Sequence, residues 1–317
     1  MSKGKMSFIR NNFKKLFIGF LLLNLFGIIF LVVVDRFVVV NGLTDPLYDE
    51  DLNAVPAGMD KNVDGVIFTS TLINLLETEF NRPFGDYRPD NIVWFGGLMP
   101  FDNVNEFQRG NIETLQRVLI FMKERISRSG GGSDQFDKYL QEASQSINYK
   151  KGRFILTGME FQSGIGKLKQ YRQGLVDGKS VFIKRTDSLS DLLKTFRENL
   201  GATHRNLAKW EEKDGSAVSM YITDNYYYHA LGEAYAILAM LRAIKIEFLT
   251  ILNQKGCMAF LDEAIISLEY ATDRNPPWII LDGDRDAQFW PNHRSNLETD
   301  INDSRFKIVS IMDNIRQ

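Results

Sequence analysis

Residues 16–34 read LFIGFLLLNLFGIIFLVVV, a run of about nineteen residues with no charge and one amide, Asn24. No other feature constrains the chain as strongly. At about 1.5 Å per helical residue the run reaches most of the way across a hydrocarbon layer of about 30 Å. Inside hydrocarbon a helix satisfies its own backbone, so helix is expected despite the many β-branched residues. Lys3, Lys5, Arg10, Lys14 and Lys15 precede the run, and Asp35 and Arg36 follow it. That bias places the N-terminus in the cytoplasm and everything after about residue 40 outside. A cleaved signal peptide is the rival reading. Its apolar region is about 7–15 residues long and ends in small residues, whereas this run is longer and continues into DRFVVVNGL. The expectation is therefore a basic leader over 1–15 and an uncleaved anchor over 16–40, which meets the lipid bilayer through 16–34. Asn24 can hydrogen-bond across a helix pair and favour a homo-oligomer, or sit as a tolerated amide in a lone span.

Charge is distributed unevenly. Residues 1–36 hold six Lys/Arg against one Asp, net +5, so the remainder of this −2 chain carries −7. An acidic remainder argues against nucleic acid, whose phosphates require a basic footprint. The single cysteine, Cys257, lies among apolar residues in KGCMAFLDEAIISL and can form no internal disulfide. A buried, inert thiol is expected there. Apolar content of 44% is enough for a sizeable core over 66–317.

Residues 41–65 contain two Pro, three Gly and six Asp/Glu with no apolar period, and read as a solvated tether. Beyond them the pattern is helical. STLINLLETEF is expected to start at Ser70 or Thr71 as N-cap. NVNEFQRGNIETLQRVLIFMKERISR places Phe107, Ile112, Leu115, Val118, Leu119 and Met122 on one face. Ser133 or Asp134 caps a helix to about Ile147, a further helix ends at Gly178, and Asp187 or Ser188 caps one that ends near Glu212. Thr223 to Leu252 is apolar on nearly every face. It reads as a central core helix and not a second span, because Glu233, Arg242, Lys245 and Glu247 interrupt it. A helix over KGCMAFLDEAIISLEYAT, an extended RNPPWIILDGD and a helix over the last fourteen residues follow. The fold class is mainly α, one domain of about eight helices, with minor β pieces near 153–157 and 180–184.

Three groups of residues invite chemistry. Asp60, Asn62 and Asp64, followed by Gly65 and Ile67, match the front of a helix-loop-helix calcium loop. Position twelve, however, is Thr71, which cannot supply the bidentate carboxylate, and no helix precedes. A polar Gly turn is the simpler reading. Asp282, Asp284 and Asp286 repeat the alternate spacing, with Arg285 as a local counter-charge. His229 and Glu233 share a face of the core helix. A zinc or iron site needs more ligands than these two, and the only other histidines are His204 and His293. A His–Glu hydrogen bond inside the bundle is expected, with Tyr226–Tyr228 packing in the core and at its rim. The chain has no Gly-x-Ser-x-Gly elbow, phosphate loop or dinucleotide fingerprint.

The segments TSTLINLLETEF, FDNVNEFQRGNIETLQRV, LLKTFRENLGATHRNL, YYYHALGEAYAILAMLRAIKIEFLTIL and PWIILDGD, in that order and spacing, resemble a bacterial family catalogued as domain of unknown function number twenty-three thirty-three. The resemblance covers about residues 64–315. Its most specific pieces are Asp102-Asn103, Phe107-Gln108, Gly110 and the Tyr–Ala–Leu helix. The chain departs from it at Asp282–Asp286 and in its short leader. The resemblance implies a single-pass inner-membrane protein with a periplasmic helical domain, and no reaction. The function expected is a scaffold or interaction protein of a bacterial envelope complex, with envelope partners or a homo-oligomer. The alternative is a metal-dependent, calcium-binding envelope module or enzyme.

Overall fold

The computed structural model describes residues 13–27, 29–30, 33, 55–81, 103–127, 136–147, 157–212, 214–273, 280–281 and 291–316. Helix α1 occupies residues 13–27, and residues 29–30 and 33 are also helical. The bundle comprises α2 (Val66–Phe80), α3 (Asn103–Phe121) with a π-turn (Met122–Ile126), α4 (Lys138–Ile147), α5 (Thr157–Val176), α6 (Thr186–Leu207), α7 (Met220–Glu247), α8 (Leu249–Gln254), α9 (Met258–Thr272) and α10 (His293–Arg316).

α7 is the axis. Its Ala-rich, all-round apolar stretch from Tyr227 to Ile244 is buried almost throughout, because α2, α3, α6 and α9 pack on it from different sides. α4 and α5 form one antiparallel pair, and α10 lies along both α9 and α6. Cys257 is buried and free, as its apolar surroundings require. The expected core helix over 223–252 divides into α7 and α8. Phe248 leaves helical geometry at φ −105°, ψ 19°, and its ring packs 6.1 Å from that of Phe182.

Several ends are set by groups distant in sequence. Neither Ser70 nor Thr71 caps α2. The helix begins four residues earlier, after Gly65 at φ 83°, and both residues lie buried inside it. Gly65 N donates to Glu247 Oε1 at 2.7 Å, so a carboxylate from the end of α7 serves the start of α2. A Cβ at Gly65 would stand 2.2 Å from the Phe182 ring, and the positive φ and the close approach both demand glycine. α6 begins after Arg185 without a side-chain cap, so Asp187 and Ser188 are first-turn residues and not caps. Asp137 Oδ1 caps α4 by accepting from Tyr139 N at 2.8 Å and Leu140 N at 3.2 Å, while Ser133 and Asp134 lie outside the described residues. Gly178, at φ 68°, ends α5 as expected.

The described residues contain no strand, and Glu211 and Ala217 form an isolated bridge. The extended piece at 180–184 has no ladder partner. Single bonds hold it, Ile183 N to Ile126 O at 3.1 Å and Tyr171 Oη to Val181 O at 2.8 Å. Of the other expected β piece, residues 153–156 lie outside the described residues and Thr157 already begins α5. The tether expected over 41–65 is shorter than its composition suggests, since residues 55–65 form turns with Val55 buried and Met59 and Val63 packed against the core. The last helix starts at His293, eleven residues before the expected position.

No described helix is long and apolar enough to cross a membrane. Residues 28, 31, 32 and 34 of the apolar run lie outside the described residues, which leaves twelve consecutive residues of the run, 16–27, in α1.

Candidate functional site

The most unusual chemistry lies where α3 crosses α7. Glu106, Gly110, Glu113 and Arg117 recur at helical spacing along α3, and His229, Gly232 and Glu233 face them from α7. Two glycines bring the backbones into contact. A Cβ on Gly110 would stand 2.1 Å from His229 O, and one on Gly232 would stand 2.0 Å from Phe107 O. Around this contact α3 buries Asn105, Glu106, Gln108, Asn111 and Thr114, a polar content unusual for a helix in a core.

His229 and Glu233 do not bond to each other, contrary to expectation. His229 Nε2 lies 3.5 Å from Glu113 Oε2 on α3. Glu233 Oε2 is within hydrogen-bond reach of Thr203 Oγ1 on α6. The spacing of four does put both side chains on one face of α7, but the helices packed there supply nearer partners. Arg117 donates through Nη1 to Asn199 Oδ1, tying α3 to α6, and Arg109 pairs with Glu106 at 2.6 Å. Beyond the crossing, Glu79 of α2 accepts from Asn111 Nδ2 at 3.0 Å, and its carbonyl accepts from Gln108 Nε2 at 3.0 Å.

Burial dominates the acid–base behaviour. Glu233 is 4% exposed, and loss of solvation pushes its pKa up to about 7 against the pull of His229 and Arg117. Burial acts downward on His229, but the hydrogen bond to Glu113 and the charges of Glu233, Glu113 and Glu106 outweigh it, so the imidazole holds its proton above the ordinary range. Burial acts upward on Glu113, yet its bond to His229 and the nearby cations keep it below the usual carboxylate range. Together these groups can hold and exchange a proton near neutrality.

The other expected site residues are dispersed. Asp60 Oδ1 accepts from Asn62 N and Nδ2 at 2.9 and 3.0 Å, closing a turn, and Asp64 pairs with Lys184 at 2.5 Å. Asp282, Asp284, Asp286, Asp35 and Arg36 lie outside the described residues. Lys14, Lys15 and Asn24 are on α1, where Asn24 Nδ2 donates to Phe20 O at 2.7 Å. His204 pairs with Glu298 at 2.5 Å, and His293 Nδ1 accepts from Leu281 N at 2.9 Å, so each of the three histidines serves a different place. Tyr227 and Tyr228 are buried edge to face at 5.5 Å, while Tyr226 reaches Glu212 at the rim. Among the described residues no three of His, Cys, Asp and Glu form a group that could hold a metal ion.

Glu106, Glu113, Arg117, Asn199 and Thr203 were not singled out by sequence reasoning. One signal was present: a charged stripe on α3 with a glycine in its middle, which surface helices do not need. No curated protein and no solved structure matches the chain. A family model does match, over residues 12–221 and 211–293, and the chain therefore belongs to DUF2333, uncharacterised proteins conserved in bacteria.

Proposed function

We propose that this is a bacterial inner-membrane protein, anchored through residues 16–34 with its N-terminus in the cytoplasm, whose periplasmic helical bundle is an interaction module of an envelope assembly. The observation that carries the anchor is α1 and its continuation. Thirteen large apolar side chains from Phe13 to Val33 are exposed, none joins the core cluster, and they point to every side of the helix. At about 25 cal/mol per Å² such a surface strongly favours an apolar environment. The family match starts at residue 12, so the run belongs to the shared pattern. Asn24 turns an amide hydrogen back onto Phe20 O within its own helix, which lowers the cost of the amide in hydrocarbon.

The interaction role follows from the architecture: a membrane-tied helical bundle presents several outer helix faces to partners in the periplasm. Two measurements test the reading. Full-length protein should stay with membranes through alkaline carbonate washing, and a C-terminal tag should be digested by protease added to spheroplasts. Release by carbonate, or a protected tag, sinks the anchor or its orientation. Gentle detergent extraction should then give a particle larger than one chain, with co-isolated envelope proteins in fixed ratio. A plain monomer removes the assembly role.

A further inference from the structure

The crossing of α3 and α7 offers a balance that depends on one proton. Among the described residues its carboxylates are Glu106, Glu113 and Glu233, and its cations are Arg109, Arg117 and, only when protonated, His229. Three charges oppose three while His229 is protonated. Charge also balances when the imidazole is neutral and Glu233 holds the proton. Either way His229 and Glu233 together retain one proton, and losing it leaves a net negative charge centred on Glu233, which is 4% exposed, where an uncompensated charge is costly.

Thr203 points the same way on geometry alone. Its Oγ1 lies 3.1 Å from Asn199 O and also within hydrogen-bond reach of Glu233 Oε2. One hydroxyl hydrogen cannot serve both oxygens. A protonated Glu233 resolves this by donating to Thr203, which then donates to Asn199 O. An ionised Glu233 leaves one contact without a hydrogen. Several other carboxylates on elements packed against α7 have partners of their own: Glu79 in Asn111, Glu269 in Arg242, Asp262 in Lys245, and Glu298 in His204. The Gly110–Gly232 contact leaves no side-chain cushion between the backbones, so the crossing responds to this charge directly.

We propose that the α3–α7 crossing is a proton-operated latch: the proton shared by His229 and Glu233 holds α7 against α3 and α6, and its loss on the alkaline side loosens them. The ligand is the proton, and the responding element is the central helix.

Hydrogen exchange on full-length protein in detergent tests the proposal, with labelling times scaled to equal intrinsic rates from pH 5.5 to 8.5. Protection of α3 and α7 should fall as pH rises toward about 7, by up to tenfold per pH unit, the limit for one released proton, and level off once Glu233 has ionised, while the α4–α5 pair stays level. Glu233→Gln, which keeps a hydrogen-bonding amide without the charge, should flatten that fall. Protection of α3 and α7 that ignores pH, or a Glu233→Gln slope equal to that of the parent, overturns the latch. Should Glu233→Gln not fold, proton release on urea unfolding of the parent chain at about pH 6, between the unfolded and folded values of Glu233, decides. About one proton released supports the proposal, and none removes it.

Discussion

Gly110 of α3 and Gly232 of α7 are reciprocal: each occupies a position where a Cβ would stand about 2 Å from the other helix's backbone, 2.1 Å from His229 O and 2.0 Å from Phe107 O. Glycine within a helix normally weakens it by about 1 kcal/mol relative to alanine. Here that rule reverses. Gly110→Ala and Gly232→Ala should each lower stability by about 1–3 kcal/mol, the usual scale of overpacking, because the neighbouring atom is backbone and cannot rotate away. Urea unfolding of each variant checks this, and a more stable alanine variant would contradict the backbone contact.

Glu247 joins the end of α7 to the start of α2 through Gly65 N, with Lys184 bridging toward Asp64. Glu247→Ala strands a buried amide hydrogen, which should lower stability by about 1–3 kcal/mol. Lys184→Ala, which removes partly exposed ion pairs, should change it by less than about 1 kcal/mol. Thermal unfolding of both variants gives the ranking. An equal loss for both would mean that the ion pair and not the cap holds α2.

Global stability should depend on pH with a definite sign. Glu233, raised to about 7, and His229, also raised, bind protons more tightly folded than unfolded. Their contribution is present below the unfolded values and is lost as pH rises through the folded ones. Glu113 is lowered, so its contribution is present above the ordinary carboxylate value and is lost only as pH falls well below that value. The melting temperature should therefore decline as pH rises from the ordinary carboxylate value of 4.5 to about 7, where folded Glu233 loses its proton, with His229 extending the decline above 6.5. Glu233→Gln should be less sensitive over that interval, as a series of calorimetric scans would reveal.

Cys257 is a reporter of unfolding. It is buried, and burial raises its thiol above the ordinary range. Maleimide should label the native chain at least about a hundredfold more slowly than the urea-unfolded chain, since both access and thiolate are withheld. Fast native labelling would place the thiol at the surface. Cys257→Ala should fold, with a loss of about 1 kcal/mol for the vacated volume.

The candidate site shows where pattern reading stops. The apolar face of α3 was legible because Phe107, Ile112, Leu115 and Val118 recur at helical spacing and are all buried. Glu106, Gln108, Asn111 and Thr114 are buried as well, on a second face whose covering by α2 and α7 no spacing on α3 can announce. His229 and Glu233 were legible as neighbours on one face, but their partners come from other helices: Glu113 lies 116 positions from His229 and Thr203 lies 30 from Glu233, and only packing brings them together. Caps failed for the same reason: Ser70 and Thr71 are good capping residues by type, yet Glu247 takes that role for α2 from 182 residues away.

The amino-acid sequence by itself determined the helical class, the central place of α7, the burial of Cys257 and the stop at Gly178. Each follows from local physics: apolar period, composition over a window, or a backbone conformation open to glycine. Tertiary structure alone decided that Glu106 and a polar face of α3 would be buried against its neighbours, that two glycines would meet at α7, and that His229 and Glu233 would find their partners in Glu113 and Thr203. Those outcomes depend on which helix faces are brought together and how closely, and solvation is lost only once they are.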